Sequence, residues 1–308
     1  MGCGLQFVPC QLCFVFCWCS VLSFGLCLYF LGVTAMRFTL MSDIHIDHRA
    51  WDWDIMKDVD PSLPLVVAGD IENDVRAGSR WIAECSARFP KLIWVAGNHD
   101  FYNLGFHRTR LVDWVLEEKF PYPRTVSEIY THYQRFSESL GVHFLHRGSV
   151  TLDGITFVGA TGWHDFRAGD PHTEENQKQA YLRYMNDSRH IQWGTEYIID
   201  SIMEHATIDF NSIEHGVSEA TTPVVVVTHH APHRALLQKD PDPIWTSLNG
   251  SYANTMMESV RDSKIRAWCF GHTHVRQDRE INGVRYINNA RGYPGENPSW
   301  MPVEIEID

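Results

Sequence analysis

Positive charge is scarce in this chain: 26 Lys and Arg stand against 38 Asp and Glu in 308 residues, a formal net charge of −12. No run of Lys and Arg interrupts that balance, so no field gathers a polyanion, and binding along a nucleic-acid backbone is disfavoured. Internal repeats, low-complexity tracts and linkers are missing after residue 37, which excludes repeat and disordered architectures. Cysteine is nearly absent there too. Only Cys85 and Cys269 occur beyond residue 36, in no paired spacing, which excludes a disulfide framework and suits a reduced, cytoplasmic setting.

The first 36 residues lack every charged side chain and every His, yet hold six of the 8 Cys: Cys3, Cys10, Cys13, Cys17, Cys19 and Cys27. Residues 12–31 are almost wholly apolar and long enough for a membrane helix, so an anchor or uncleaved signal is one reading. No Lys or Arg precedes the stretch to orient it, and the opposing reading starts translation at Met36, which runs straight into a strand pattern. The expectation is therefore a Cys-rich apolar segment at 1–35, a membrane partner only if 12–31 is a real anchor, and one catalytic domain at 36–308.

What is present is a hydrophobic fraction of 44% arranged as short β-branched runs alternating with helical patterns. Strands are expected at 37–41, 65–68, 92–96, 142–145, 155–159, 224–228, 267–270, 284–287 and 303–307. Helices are expected at 76–89, 125–140, 174–184, 195–207 and 252–263. The first three strands, each separated by room for a crossover helix, read as βαβ units in a parallel sheet, with a mixed or second sheet after them. Residues 101–222 read as a helical insertion or lid around the core.

Five polar clusters follow directly on predicted strands: Asp43-Ile44-His45, Gly69-Asp70-Ile71-Glu72-Asn73, Gly97-Asn98-His99-Asp100, His229-His230 and Gly271-His272-Thr273-His274. In open α/β sheets the carboxyl ends of strands form the ligand crevice, so residues remote in sequence converge there. Imidazole nitrogens suit borderline transition metals, carboxylates suit harder ones, and a carboxylate can bridge two ions. Two ions about 3.5–4 Å apart can deprotonate a shared water and stabilise both oxygens of an in-line displacement at phosphorus. The glycines before Asp70, Asn98 and His272 allow a sharp turn and close approach.

The order D-x-H, G-D-x-x-N, G-N-H-D, H and G-H-x-H resembles the calcineurin-like metallophosphoesterases across the span from Asp43 to His274. The resemblance implies a four-layer α/β/β/α sandwich of two mixed β-sheets. It implies that Asp43, His45 and His274 hold one metal, that Asn98, His229 and His272 hold the other, and that Asp70 bridges them. His99 matches the family's histidine that protonates the leaving-group oxygen. The implied activity is phosphoester hydrolysis by a bridging hydroxide, on a phosphomonoester or phosphodiester of a small molecule or nucleotide. Mn is the expected cofactor, with Fe, Zn or Ni accepted by the same donors. Two rivals remain: a silent interaction scaffold of this fold, which predicts lost ligands, and a DNA nuclease of the same superfamily, which calls for a basic surface.

One position departs from the pattern. Where the phosphoprotein phosphatases place an Asp to pair with the catalytic His, this chain has Asn73, with Asp74 and Asp100 as substitutes near in sequence. Asp43-Ile44-His45-Ile46-Asp47-His48 also approaches the H-x-H-x-D-H of metallo-β-lactamase-like hydrolases, but that reading leaves the Gly97 and Gly271 clusters without a task. Asp47 and His48 are then loop residues at the site mouth. His107, His132, His143, His146, His172, His190, His205 and His215 carry no motif and are expected to be structural. His230 and His233 are candidates for supporting or lining roles. In Gly162-Trp163-His164-Asp165 the Trp is expected to pack lid onto core, with the two polar residues solvated. Trp51-Asp52-Trp53-Asp54 has acidic neighbours, which argues against single-stranded nucleic acid.

Overall fold

Short apolar runs that gain most by leaving water build the frame of the molecule. The structure is a computed structural model, and it describes residues 35–104, 122–169, 172–238 and 243–308. The apolar segment with the membrane reading of 12–31, and His107, lie outside them. Strands β1 (Met36–Met41), β2 (Leu65–Ala68), β3 (Leu92–Val95), β4 (His143–Phe144) and β11 (Val303–Ile307) form one sheet in the order β11-β1-β2-β3-β4. Within it β1 to β4 run parallel and β11 is antiparallel to β1. The second sheet has the order β5-β6-β7-β8-β10-β9, from β5 (Gly148–Leu152), β6 (Ile155–Gly159), β7 (Val224–Val227), β8 (Ile265–Phe270), β9 (Gln277–Ile281) and β10 (Val284–Asn288). Its four inner strands are parallel, and the two edge strands are antiparallel to their neighbours.

Both sheets are buried on two faces, as the near-continuous apolar strands require. Phe38, Leu40, Val66 and Ile93 of the first sheet share one apolar cluster with Phe157, Val225, Val227 and Ala267 of the second. Phe38 and Phe157 meet edge to face across that layer at 5.7 Å. On the outer face of the first sheet, Val67 and Trp94 pack against Ile82 of α1 (Val75–Ser86) and Tyr133 of α2 (Val126–Leu140). On the outer face of the second, Val158 and Val224 pack against Ile213 and Val217 of α5 (Ile198–Glu219). The four-layer α/β/β/α sandwich follows from these three apolar layers.

Local chemistry sets the helix ends. Thr125 and Glu128 form a reciprocal capping box at the start of α2, and Gly141 closes it at φ 72°. Helices α3 (Glu174–Tyr184) and α4 (Asp187–His190) bring the middle of the chain toward the strand ends.

Four expectations need correction. β5 and β9 carry alternating polar side chains at sheet edges, so no apolar run marks them. The helix expected at 195–207 continues to Glu219. The helix expected at 252–263 is only a 3-10 turn, Thr255–Ser259, because Asn254 spends its side chain capping Met256 and reaching the carbonyls of Trp163 and Ala206. Residues 101–222 are more than a helical lid, since besides the expected β4 and β6 they supply the edge strand β5. No helix among the described residues is long and apolar enough to cross a membrane.

Candidate metal centre

The parallel strands of both sheets deliver their carboxyl ends to one crevice. Backbone ties weld the loops there: Asp43 N–H donates to Gly69, His45 N–H to Asp70, and Gly271 N–H to His229. The turns are sharp enough to leave ordinary backbone space. Asp43, His45, Asp70, His272 and His274 all adopt positive φ, between 44° and 65°. Such conformations cost about 1–3 kcal/mol each for a residue with a Cβ and collect where surrounding structure enforces them, often at functional sites. Two glycines make the approach possible. A Cβ on Gly97 would strike Asp70 Oδ1 and lie 2.7 Å from His229 Cε1, and one on Gly271 would lie 2.7 Å from Asp43 Oδ2.

The donor atoms fall into two groups with Asp70 common to both. One donor atom each from Asp43, His45, Asp70 and His274 lies within 4.8 Å of the others, as does one each from Asp70, His229 and His272. Asn98 Oδ1 joins the second group, 2.9 Å from His229 Nε2. Every member but His274 is buried.

The hydrogen bonds behind the rings turn their lone pairs inward. His229 Nδ1 faces the Ala68 carbonyl at 2.9 Å and must donate to it, so Nε2 is the acceptor nitrogen of the neutral ring. That nitrogen faces Asp70 Oδ2 at 3.3 Å as well as Asn98 Oδ1. His274 Nδ1 donates to Glu296 at 2.7 Å, leaving Nε2 to face His45 Nε2 at 3.1 Å and Asp43 Oδ1 at 3.5 Å. His272 Nε2 donates to the Ser251 carbonyl at 3.1 Å, leaving Nδ1 free to ligate. Among the described residues, buried Asp43 Oδ2 has no hydrogen-bond partner. Carboxylate oxygens and ring nitrogens buried this close together require positive charge between them, from a proton or a cation. Burial pulls the His229 imidazole down, but the Asp70 carboxylate outweighs it and lifts the ring to about 9. Burial likewise pushes Asp70 up, yet the surrounding imidazoles hold it well below the carboxylate range. Nitrogen and carboxylate donors in this proportion fit transition-metal cations.

The sequence from residue 36 to 276 matches the model of the calcineurin-like phosphoesterase family. The chain belongs to that family. An uncharacterized protein, L509, of Acanthamoeba polyphaga mimivirus is 25% identical over 264 residues, covering 83% of this chain and 88% of the relative. The crystal structure of phosphopantetheinyl hydrolase (PptH) from Mycobacterium tuberculosis superposes with a TM-score of 0.69 at 18% identity, over 88% of this chain and 96% of that one, an agreement of fold.

Beside this cluster lies His99, buried, its ring 4.6 Å from that of His45. Its Nδ1 lies 2.8 Å from Asn73 Oδ1, and Asn73 Nδ2 donates to Asp47 at 2.6 Å, which fixes the amide with its oxygen toward the ring. His99 Nε2 is 3.1 Å from the Tyr293 hydroxyl. Burial lowers the ring to about 4 despite the charge of Asp70, so it takes up a proton at neutral pH only when an anion sits beside it. Neither suggested substitute for Asn73 reaches it. Asp74 caps α1 through Ala77, and Asp100 accepts from the backbone N–H groups of Gly97, Asp70, Ile71 and Glu72, locking two of the site loops together.

Other candidates sort clearly. His230 is fully buried, its Nε2 3.3 Å from His164 Nδ1 and its ring 4.3 Å from that of His272, a supporting position. His164 and Asp165 are buried rather than solvated, and Asp165 holds Thr255 through both its N–H and its hydroxyl. His233 caps a 3-10 turn through Ala235 and does not join the cluster. His48 lies at the mouth against Tyr293, 4.7 Å between rings. Tyr293, Glu296, Asp187 and buried Arg291 had no motif to mark them. Arg291 braces the loop after β1 through the carbonyls of Ile44, Arg49 and Ala50. The first, second and last of these follow β10, another parallel strand end, and so reach the same crevice by the same convergence.

Proposed function

We propose that this chain is a metal-dependent phosphoester hydrolase with a two-ion centre. Asp43, His45 and His274 hold one ion, Asn98, His229 and His272 the other, and Asp70 is shared between them. Mn is the expected metal, and Fe, Zn or Ni suits the same donors. When bound, the pair lowers the pKa of a water and takes up charge on phosphoryl oxygens.

The remaining work falls to the chain itself. Asn73 holds the His99 ring so that Nε2 faces the crevice, where Tyr293 lies 3.1 Å away. A phosphate beside that ring raises its affinity for a proton, which Nε2 then passes to the leaving-group oxygen. Tyr293 rests against the rings of His45 and His274 at 4.7 and 4.6 Å and screens the mouth from water. The substrate is the phosphomonoester or phosphodiester of a small molecule or nucleotide, in keeping with the net charge of −12, which offers nucleic acid no attraction.

One observation carries this reading: His229 aims Nε2 at Asp70 and Asn98 while its other nitrogen is committed to a carbonyl, so a cation that displaces the Nε2 proton meets three donors at once. Every position matched to the family pattern holds a competent donor, which a silent scaffold would not need. The test is hydrolysis of a chromogenic phosphomonoester and the matching diester by the purified chain, before and after chelation and Mn²⁺ readdition. Turnover of one of them, abolished by chelator and restored by metal, is expected. Equal turnover without metal would overturn the reading.

A further inference from the structure

Asp187 has no place in any motif, and it comes from a four-residue helix, α4, remote from every strand end. Its side chain is nevertheless 0% exposed and reaches the centre. Oδ1 accepts from Asn98 Nδ2 at 2.8 Å and from the Tyr102 hydroxyl at 2.5 Å. The Tyr102 ring in turn stacks on His99, 4.2 Å between centroids. An amide side chain has no intrinsic preference for which end faces a cation, and the wrong end presents two N–H donors to it. A buried carboxylate on the Nδ2 side removes that choice. It leaves Oδ1 as the only end of Asn98 that faces His229.

We infer that Asp187 is a positioning residue for the second ion of the proposed centre: by holding Asn98 Nδ2 it presents Asn98 Oδ1 as a ligand beside Asp70, His229 and His272. The inference rests on the two-ion reading above. It gives the middle segment of the chain a task at the centre and makes the second ion sensitive to a residue that touches neither ion. Supporting residues of this kind typically govern 10–100-fold in metal affinity.

The test is equilibrium Mn²⁺ binding to the chelator-stripped full chain, read by the electron paramagnetic resonance of free ion, with thermal melts as the check on folding. The wild type is expected to bind two ions. Asp187→Ala is expected to keep the first affinity and lose about 10–100-fold in the second. Asp187→Asn, whose carbonyl oxygen still accepts from Asn98, is expected to stay near wild type. Should the Ala variant not fold, Asp187→Ser replaces it, since its hydroxyl fills part of the space but stops short of Asn98. Two unchanged affinities in a folded variant would overturn the inference and leave the two-ion reading intact. Equal loss at both sites, or failure of both variants to fold, would make Asp187 a structural residue and overturn it as well. Fewer than two ions on the wild type would overturn the two-ion reading and this inference with it.

Discussion

The His99 imidazole bonds through Nδ1 to the Asn73 carbonyl oxygen at 2.8 Å, and the same Asn73 amide donates to Asp47 at 2.6 Å. An amide therefore occupies the place where related phosphatases use a carboxylate, and it fixes the ring by geometry while the formal charge sits one residue further back. Asn73→Ala frees the ring without touching a metal ligand. The expected result is two bound ions and a kcat reduced on the order of 10–100-fold, since small misplacements of a reacting group cost that much. Metal analysis beside steady-state kinetics checks it, and an unchanged kcat would remove the orienting role.

Removing the ring itself goes further. His99→Ala is expected to retain both metals and to lose about 10²–10⁴ in turnover of esters with alkyl alcohol leaving groups. Nitrophenyl esters, whose leaving group needs little protonation, should lose much less. Comparing the two leaving groups in one assay isolates proton donation, and equal losses for both would contradict it.

Asp70 is the one donor common to both groups, and its Oδ1 also accepts from His99 N–H at 2.9 Å. Asp70→Asn is expected to abolish dinuclear occupancy and activity together. Gly97→Ala should imitate it without altering any donor, because the new Cβ collides with Asp70 Oδ1. Retention of two metals in Asp70→Asn, measured by elemental analysis, would remove the shared role.

Carboxylates and imidazoles buried together are costly to desolvate, and a cation compensates them, so metal binding should stabilise the fold. At a free Mn²⁺ concentration 100 times Kd, one site adds about 2.7 kcal/mol. Differential scanning calorimetry with chelator and with Mn²⁺ should show a higher Tm with metal. An identical Tm would count against native-state binding.

Asp209 organises the Gly162–Trp163 turn from α5. Its Oδ2 accepts from both backbone N–H groups, and Oδ1 pairs with Arg147 at 2.7 Å. Asp209→Ala leaves those two N–H donors without a partner and the Arg147 guanidinium without its carboxylate, held among the described residues only by His205 at 2.9 Å, which should cost about 3–5 kcal/mol. Denaturant unfolding measures it, and a loss near zero would show that the turn holds without the carboxylate.

All nine expected strands are present, because the inner ones are apolar runs buried on both faces and β11 alternates Val, Ile and Glu at an edge, and the residues expected to ligate arrive at one crevice because parallel strand ends must converge. β5 and β9 were hidden because Gly-Ser-Val-Thr-Leu and Gln-Asp-Arg-Glu-Ile carry too few apolar side chains to mark a strand. Asn73 was legible as a departure from the family pattern, but its bond to Asp47 depends on a loop geometry that no spacing encodes. Asp187 meets Asn98 across 89 positions and Tyr293 meets His99 across 194, and only the folded chain brings such partners together.

The central claim is that two metal ions held by this crevice are what hydrolyses the ester. The direct measurement adds Mn²⁺ stepwise to chelator-stripped protein and follows chromogenic phosphoester hydrolysis at each equivalent. The account predicts negligible rate without metal and turnover that rises to its plateau as the second equivalent binds. Full turnover in the metal-free protein, or none of either ester with two ions bound and the fold intact, would contradict it.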